Sequence, residues 1–293
     1  MARLEHPFHL EQNIPASETR VLTVITTCMG RLHHLRESLP AIASQSDLRC
    51  VVVDYGCPDG CGGWVAENFP GVQVVQESAV TWFNISKARN LGARHAVTEW
   101  LCFVDADTVL GPGFYQTLAP LLKDRHFLLA DPCTPELSGL VVCRRDDFDA
   151  IGGYDELFSG WGSEDRDLVE RLKRSGCILA GVPFQDVRCI SHDDEQRTRH
   201  HDISDRFLSL RINGLYFQIK TDLARQTEVV ELPLADRRNI FSRVRQVVLN
   251  NPRAAAQVEV ALPMGTDFMQ PPGWQLRRTI RYSFEPLAPP TDA

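Results

Sequence analysis

Residues 21–27, VLTVITT, form an unbroken β-branched apolar run, and the segment after them places apolar side chains at positions 32, 35, 39 and 42. A continuous apolar run followed by a period of three to four predicts a buried strand and then an amphipathic helix over 31–44. The same couplet recurs. Cys50–Asp54 predicts a second strand that runs into the Gly/Pro/Asp loop YGCPDGCGG, followed by a short helix at 64–69 and a third strand at 72–75. The pattern at 85–96 predicts a helix, and 100–104 a buried strand leading directly into Asp105-Ala106-Asp107. Short strands alternating with helices indicate parallel βαβ units with right-handed crossovers, so residues up to 110 predict a nucleotide-binding α/β half.

Beyond 110 the rhythm changes. The pattern predicts a helix at 113–122, a strand near 137–143, a Gly-rich loop GGYDELFSGWGS, and a helix at 164–175. Ser163 is the expected N-cap of that helix, with Glu164, Asp165 and Asp167 in the first turn, where the helix dipole favours negative charge. A long helix over 202–224, a helix over 239–250 and a hairpin pairing 257–262 with 274–284 complete the expectation, and the tail EPLAPPTDA reads as loose. The predicted division is a catalytic α/β domain at 1–225 and a C-terminal extension at 226–293, the latter an acceptor-binding or oligomerisation element. No internal repeat or low-complexity tract interrupts the chain.

Composition narrows the function classes. The 293 residues are 43% hydrophobic and 24% charged, with a net charge of −7. That balance argues against a broad footprint for nucleic acid or anionic lipid. The longest uncharged stretch, Thr108 to Leu122, contains Pro112 and Pro120 and is too short for a membrane span. The start MARLEHPFHLEQ lacks the apolar core of a secretory signal, so a cytoplasmic protein, able to visit the inner membrane surface peripherally, is expected. Nine scattered cysteines, several within apolar runs, suit buried free thiols in a reducing compartment. Cys57 and Cys61 form a close pair that suits a loop disulfide or half a zinc site. No second CxxC or CxxH pair completes such a site, which favours two ordinary loop thiols.

The chemistry-bearing residues follow the strand ends. Asp105 and Asp107 sit at the carboxyl end of a hydrophobic strand, where open α/β sheets bind ligands. Two carboxylates one residue apart cannot share a face of a continuing strand. The chain is therefore expected to turn there and offer both to a hard divalent cation, the alternative being a solvated acidic loop. Lys87, Asn90 and Arg94 fall roughly along one helix face, either to neutralise phosphate or simply as a solvated basic face. Asp54 ends the second strand and either bonds a base or ribose or caps a turn. Trp161, flanked by Gly160 and Gly162, is placed to stack on a sugar face, while Glu164 and Asp165 offer a general base or merely cap the helix. His192 follows the apolar strand 187–190 and is either a ligand for a Mn²⁺-like ion or a surface residue. His200 and His201 lie in the polar run EQRTRHHD, read as a solvated loop.

In order along the chain, six segments carry a resemblance: TTCMGR at 26–31, FNISK at 83–87 with NLG at 90–92, VDAD at 104–107, GGYDE at 152–156, GWGSED at 160–165 and CISH at 189–192. Over residues 20–192, roughly 60% of the chain, the sequence resembles GT-A glycosyltransferases of the family 2-like branch. Its second half is similar to β-1,4-galactosyltransferases and chondroitin polymerases. The resemblance implies a GT-A fold, α/β with a Rossmann-like nucleotide-binding half, a mixed central sheet and an acceptor-side half. It implies donor contacts from Thr27, Arg31, Asp54, Lys87 and Asp105-Ala106-Asp107, and a Mn²⁺ or Mg²⁺ ion held by Asp107 and His192, with Asp105 bonding the ribose or reaching the ion through water. Trp161 and Gly162 would form the acceptor side, Glu164 would hold a sugar hydroxyl, and Asp165 would be the catalytic base.

Three departures stand out. Galactosyltransferases ligate the metal with a methionine three residues before the histidine, where this chain has Cys189. Arg166 replaces the acidic residue that follows their Glu-Asp pair, and their secretory membrane anchor is not seen. The expected activity is inverting, metal-dependent transfer of a sugar from a nucleoside diphosphate sugar, a UDP-hexose or UDP-N-acetylhexosamine, to a hydroxyl of a glycan, lipid-linked or other acceptor, with homodimerisation as a possible assembly. A sugar nucleotidyltransferase is the enzymatic alternative, but it should carry a Gly-rich phosphate loop after the first strand, and TTCMGR is poor in glycine. A catalytically silent carbohydrate-binding protein of the same fold is the other alternative.

Overall fold

The structure, a computed structural model, describes residues 21–130, 137, 139–182, 187–191, 198–252, 254–263 and 277–285. β1 (Leu22–Cys28) is buried along its whole length because its run of β-branched residues needs cover on both faces. It leads into α1 (Leu32–Ala43), β2 (Leu48–Tyr55), α2 (Cys61–Asn68), β3 (Gln73–Glu77), α3 (Ile85–His95) and β4 (Trp100–Asp105). β1 pairs in parallel with β2 and with β4, and β2 pairs in parallel with β3. The α/β half expected from the alternating pattern is therefore present.

Next come β5 (Thr108–Leu110) and α4 (Phe114–Leu118), then β6 (His126–Ala130), β7 (Val141–Arg144), α5 (Arg145–Ala150), α6 (Glu164–Arg174), β8 (Ile178–Val182) and β9 (Val187–Cys189). The seven-stranded sheet runs β3-β2-β1-β4-β7-β6-β8. β7 is antiparallel to β4 and to β6, whereas β8 is parallel to β6, so the sheet is mixed, as expected. β5 and β9 form a separate antiparallel pair. The chain continues with α7 (Arg206–Gln226) and α8 (Leu234–Asn250), then an antiparallel hairpin of β10 (Ala256–Pro263) and β11 (Arg277–Phe284).

Several expectations need correction. The helix expected over 113–122 divides into α4 and a 3-10 turn at Ala119–Leu121, because Pro120 has no amide to continue the ladder. The strand expected at 137–143 is confined to β7. The long helix begins at Arg206, not 202, because Asp205 takes the cap and accepts from the Leu208 amide at 3.0 Å. Ser163 is not a side-chain cap: it sits at φ +78 and its hydroxyl makes no capping bond. His201 is buried, edge-on to Phe83 with ring centroids 5.5 Å apart, so the end of the EQRTRHHD run packs against the protein; residues 192–197 lie outside the described set. β6, β8 and α5 had no counterpart in the sequence reading.

Three apolar cores hold these layers. Leu35, Leu39 and Val65 cover one sheet face from α1 and α2, and Ala88, Phe148 and Leu168 cover the other from α3, α5 and α6. α3 lies directly on β1 and β2 at Gly92, where a Cβ would stand 2.4 Å from Ile25 Cγ2 and 3.0 Å from Val53 Cγ2. The third core joins α7, α8 and the hairpin through Tyr216, Ile219, Val244 and Val258.

Between the second and third cores lies a buried ion network. Lys220 Nζ, fully buried on α7, contacts Asp155 at 2.8 Å, Asp167 at 2.6 Å and Glu231 at 2.8 Å. Arg171 pairs with Asp167 and Glu231, and Arg237 with Asp155. Three cations thus face three carboxylates, which is the condition under which buried charge is tolerated. No helix among the described residues is long and apolar enough to cross a membrane.

Candidate active site

β4 ends at Asp105, the chain turns at Ala106-Asp107, and β5 restarts at Thr108, so the turn expected between the two carboxylates is present. The turn is anchored from behind: Ser38 Oγ on α1 donates to the Ala106 carbonyl at 2.7 Å. Asp107 is buried and lies 3.4 Å from Arg31, which starts α1. Thr27, one residue before the end of β1, is in register with Asp105. β9 runs beside β5, and the Ile190 amide donates to the Asp107 carbonyl at 2.8 Å. His192 itself lies outside the described residues, but its chain neighbour two positions earlier is bonded to Asp107.

The acidic pair at the start of α6 meets this turn through a residue the motif reading passed over. Arg89 on α3 is 1% exposed, and its guanidinium bridges Asp105 Oδ1 at 2.8 Å and Asp165 Oδ1 at 2.6 Å, with Glu164 at 4.0 Å. Its face lies 5.1 Å from the centre of the Tyr154 ring, whose hydroxyl donates to the same Asp165 oxygen at 3.1 Å. Burial works against the charge on Arg89, but Asp165, Asp105 and Glu164 together hold it cationic. Burial raises the Asp165 pKa, Arg89 opposes the rise, and Asp105 adds to it. Glu164 is pushed up to about 8 by burial and by the neighbouring Asp165 charge, again against Arg89. A carboxylate made more basic by burial, yet oriented by two donors, is suited to taking a proton.

The loop before α6 is fixed from two sides. Asn90, expected on a basic face with Lys87, instead clamps the GGYDE segment: its amide donates to Tyr154 O at 2.9 Å and to Glu156 at 3.0 Å, and it accepts from the Tyr154 amide. From α7, Ser209 Oγ accepts from the Trp161 amide at 2.7 Å, and Asn213 donates to the carbonyls of Ser159 and Trp161. Gly160, at φ +83, has no room for a side chain, since a Cβ would lie 1.9 Å from Ser209 Oγ. Trp161 is half-buried, with the Arg206 guanidinium 4.3 Å over its ring, so one indole face is already covered. Gly162 lies against Leu210 of the same helix.

Two expected donor contacts are placed less directly. Asp54 accepts from the Cys57 amide at 2.8 Å and the Gly62 amide at 3.0 Å, which is the turn-capping alternative. Lys87 is exposed on the first turn of α3, where Asn84 caps the helix through the Lys87 amide. Asp107 and Asp105 thus stand on one side of Arg89, and Asp165, Glu164 and the loop of Trp161 on the other.

Comparisons with known proteins find two matching segments. A family model described as glycosyl transferase family 2 matches residues 23–136, and one described as the N-terminal domain of galactosyltransferase matches residues 125–194. Beta-1,4-galactosyltransferase 1 of Mus musculus is 29% identical over 142 residues, covering 43% of this chain and 35% of the relative. Beta-1,4-galactosyltransferase 2 of Homo sapiens is 24% identical over 220 residues, covering 71% of this chain and 52% of the relative. The chain therefore spans only about a third to a half of the length of these curated relatives. Among solved structures, the mannosyltransferase PcManGT from Pyrobaculum calidifontis, in complex with GDP-Man and Mn²⁺, superposes with a TM-score of 0.50 at 19% identity, covering 78% of this chain and 70% of that one. The chain has a GT-A fold, with residues 23–136 similar to family 2 glycosyl transferases and residues 125–194 similar to the N-terminal domain of galactosyltransferase.

Proposed function

We propose that the protein transfers a sugar, with inversion, from a nucleoside diphosphate sugar to a hydroxyl acceptor, using Asp165 as the general base. The observation that carries this reading is the shared guanidinium of Arg89, which brings a strand-end carboxylate from the nucleotide half and the α6 acidic pair to one point. A UDP-hexose or UDP-N-acetylhexosamine is the proposed donor, and a glycan or lipid-linked saccharide the proposed acceptor. The similarity of residues 125–194 to the N-terminal domain of galactosyltransferase supports the sugar-acceptor chemistry.

A divalent cation, Mn²⁺ or Mg²⁺, fits the donor set: two hard carboxylates, Asp105 and Asp107, stand either side of one turn, and Ile190 hydrogen-bonds to that turn two residues before His192. Asp107 and His192, with Asp105, would hold it. Such an ion supplies positive charge against the diphosphate leaving group. The chain's own groups do the rest. Arg31, 3.4 Å from Asp107, and Lys87 supply further positive charge to the diphosphate, while Thr27 and Ala106 line the strand ends beside it. Trp161 and Gly162 border the acceptor, and Glu164 bonds one of its hydroxyls. Asp165 takes the proton from the attacking hydroxyl. That oxygen bonds to the anomeric carbon on the face opposite the diphosphate, and the bond from that carbon to the diphosphate oxygen breaks. Arg89 and Tyr154 keep the carboxylate aimed throughout.

The test is Asp165→Asn, which keeps shape and removes the basic oxygen. Transfer should fall at least about a hundredfold, the lower range for a lost general base, with donor binding retained. Wild-type turnover in that variant would refute the assignment. A chelator should abolish transfer, with Mn²⁺ restoring it. A panel of UDP-, GDP- and dTDP-sugars read by thermal shift should single out the donor, since a ligand present at 100 times its Kd adds about 2.7 kcal/mol.

A further inference from the structure

The Cys57/Cys61 pair lacks a partner in the sequence, but the fold supplies one. Cys28 ends β1 in register with Asp54 at the end of β2, so its thiol reaches the loop that carries Cys57 and Cys61. The three Sγ atoms all lie within 4.8 Å of one another, and Cys28 Sγ is 3.8 Å from Cys57 Sγ. Two thiolates on a tetrahedral zinc ion, each at about 2.3 Å, stand roughly 3.8 Å apart. A disulfide would require about 2.05 Å. The surrounding backbone favours a sulfur anion: the Gly30 amide donates to Cys57 Sγ at 3.3 Å. The other cluster of potential ligands among the described residues, Asp155, Asp167 and Glu231, already surrounds the Lys220 ammonium.

We propose that Cys28, Cys57 and Cys61 bind one zinc ion through three thiolates, with a fourth position left to water or a small ligand. Binding releases three thiol protons to solvent and leaves a site of net charge −1. The soft sulfur set separates this ion from a hard cation at Asp105 and Asp107. The ion would tie the β1 exit, which carries Arg31 three residues on, to the β2 exit, which carries Asp54 three residues before Cys57. It therefore acts as a brace behind the proposed donor edge.

The experiment uses reduced, metal-stripped full-length protein titrated with Co²⁺ under anaerobic conditions. One equivalent should give a thiolate-to-cobalt charge-transfer band, removed by Zn²⁺. The band should be lost in Cys28→Ser and Cys57→Ser and kept in Cys189→Ser. No band, or a band kept in Cys57→Ser and lost in Cys189→Ser, overturns the proposal. Should the serine variants fail to fold, alkylation of wild-type Cys57, the half-buried member, decides: Zn²⁺ should slow it by at least about tenfold, because a ligated thiolate is withdrawn from attack. An unchanged rate, or a disulfide joining any two of the three in freshly isolated protein, overturns it.

Discussion

Replacing Lys220 by Met tests the ion network that joins α6 and the loop before it to the C-terminal helices. The thioether keeps most of the aliphatic volume and removes only the ammonium, so Asp155, Asp167 and Glu231 are left against Arg171 and Arg237 with one buried negative charge uncompensated. Removing one partner from a buried ionic group costs about 3–5 kcal/mol; at about 2–4 °C per kcal/mol, that lowers the Tm by roughly 6–20 °C. The effect has a pH signature. Burial alone would raise the Asp155 pKa, but Lys220 and then Arg237 bring it down to about 2 from 3.8. A depressed carboxylate contributes stability above its unfolded pKa, and that contribution is lost as pH falls through the folded value. Without Lys220 the depression shrinks, so the gap between wild type and variant should be widest above pH 3.8 and narrow toward about 2. Thermal denaturation across that range reads it directly. The double variant Lys220→Met/Glu231→Gln, neutral again, should recover part of the loss. A Tm drop below 2 °C, or a gap that does not change with pH, would refute the account.

Three further outcomes follow from the site. Arg89→Met should leave Asp105 and Asp165 repelling each other without their shared cation; transfer should collapse, and denaturation should show a loss of about 3–5 kcal/mol, whereas a stable variant with normal turnover would remove Arg89 from the site. Glu164→Gln should be more stable than wild type in alkaline solution. The Glu164 pKa is raised by burial from 4.5 to about 8, so the wild type loses stability relative to the amide as pH rises through that window, by about 1.4 kcal/mol for each tenfold change in proton affinity. A Tm difference that stays flat over that range contradicts it. Gly92→Val should abolish or badly weaken folding, measured as soluble yield and Tm, because even the first carbon overlaps Ile25 Cγ2.

The nucleotide half was legible because its signals are long and redundant: VLTVITT, the 32/35/39/42 stripe and WLCFV can each be only a buried strand or a helix face. β6 and β8 were missed for the opposite reason. HFLLA and ILAGV are five-residue runs whose pairing is with each other and with β7, a contact no local pattern reveals. Arg89 was passed over because an arginine in a helix usually reads as solvated. A signal was nonetheless there: Arg89 is spaced three and four residues from Gly92 and Ala93, buried small residues of the kind that lets a helix pack tightly on a sheet. Ser163 misled because capping preference ignores the left-handed backbone, φ +78, in which the chain leaves Gly162 and enters the helix. Cys28 could not be joined to Cys57 by spacing at all, since 29 residues and a parallel strand register separate them.

The guanidinium held in common by Asp105 and Asp165 makes the two ends of the cleft a single electrical unit. Under the proposed transfer, charge brought to Asp105 would change what the same arginine gives to Asp165. An engineer who replaces the loop before α6 inherits that wiring, and must keep Arg89, its two carboxylate partners and Tyr154 together for the transplanted part to sit as the native one does.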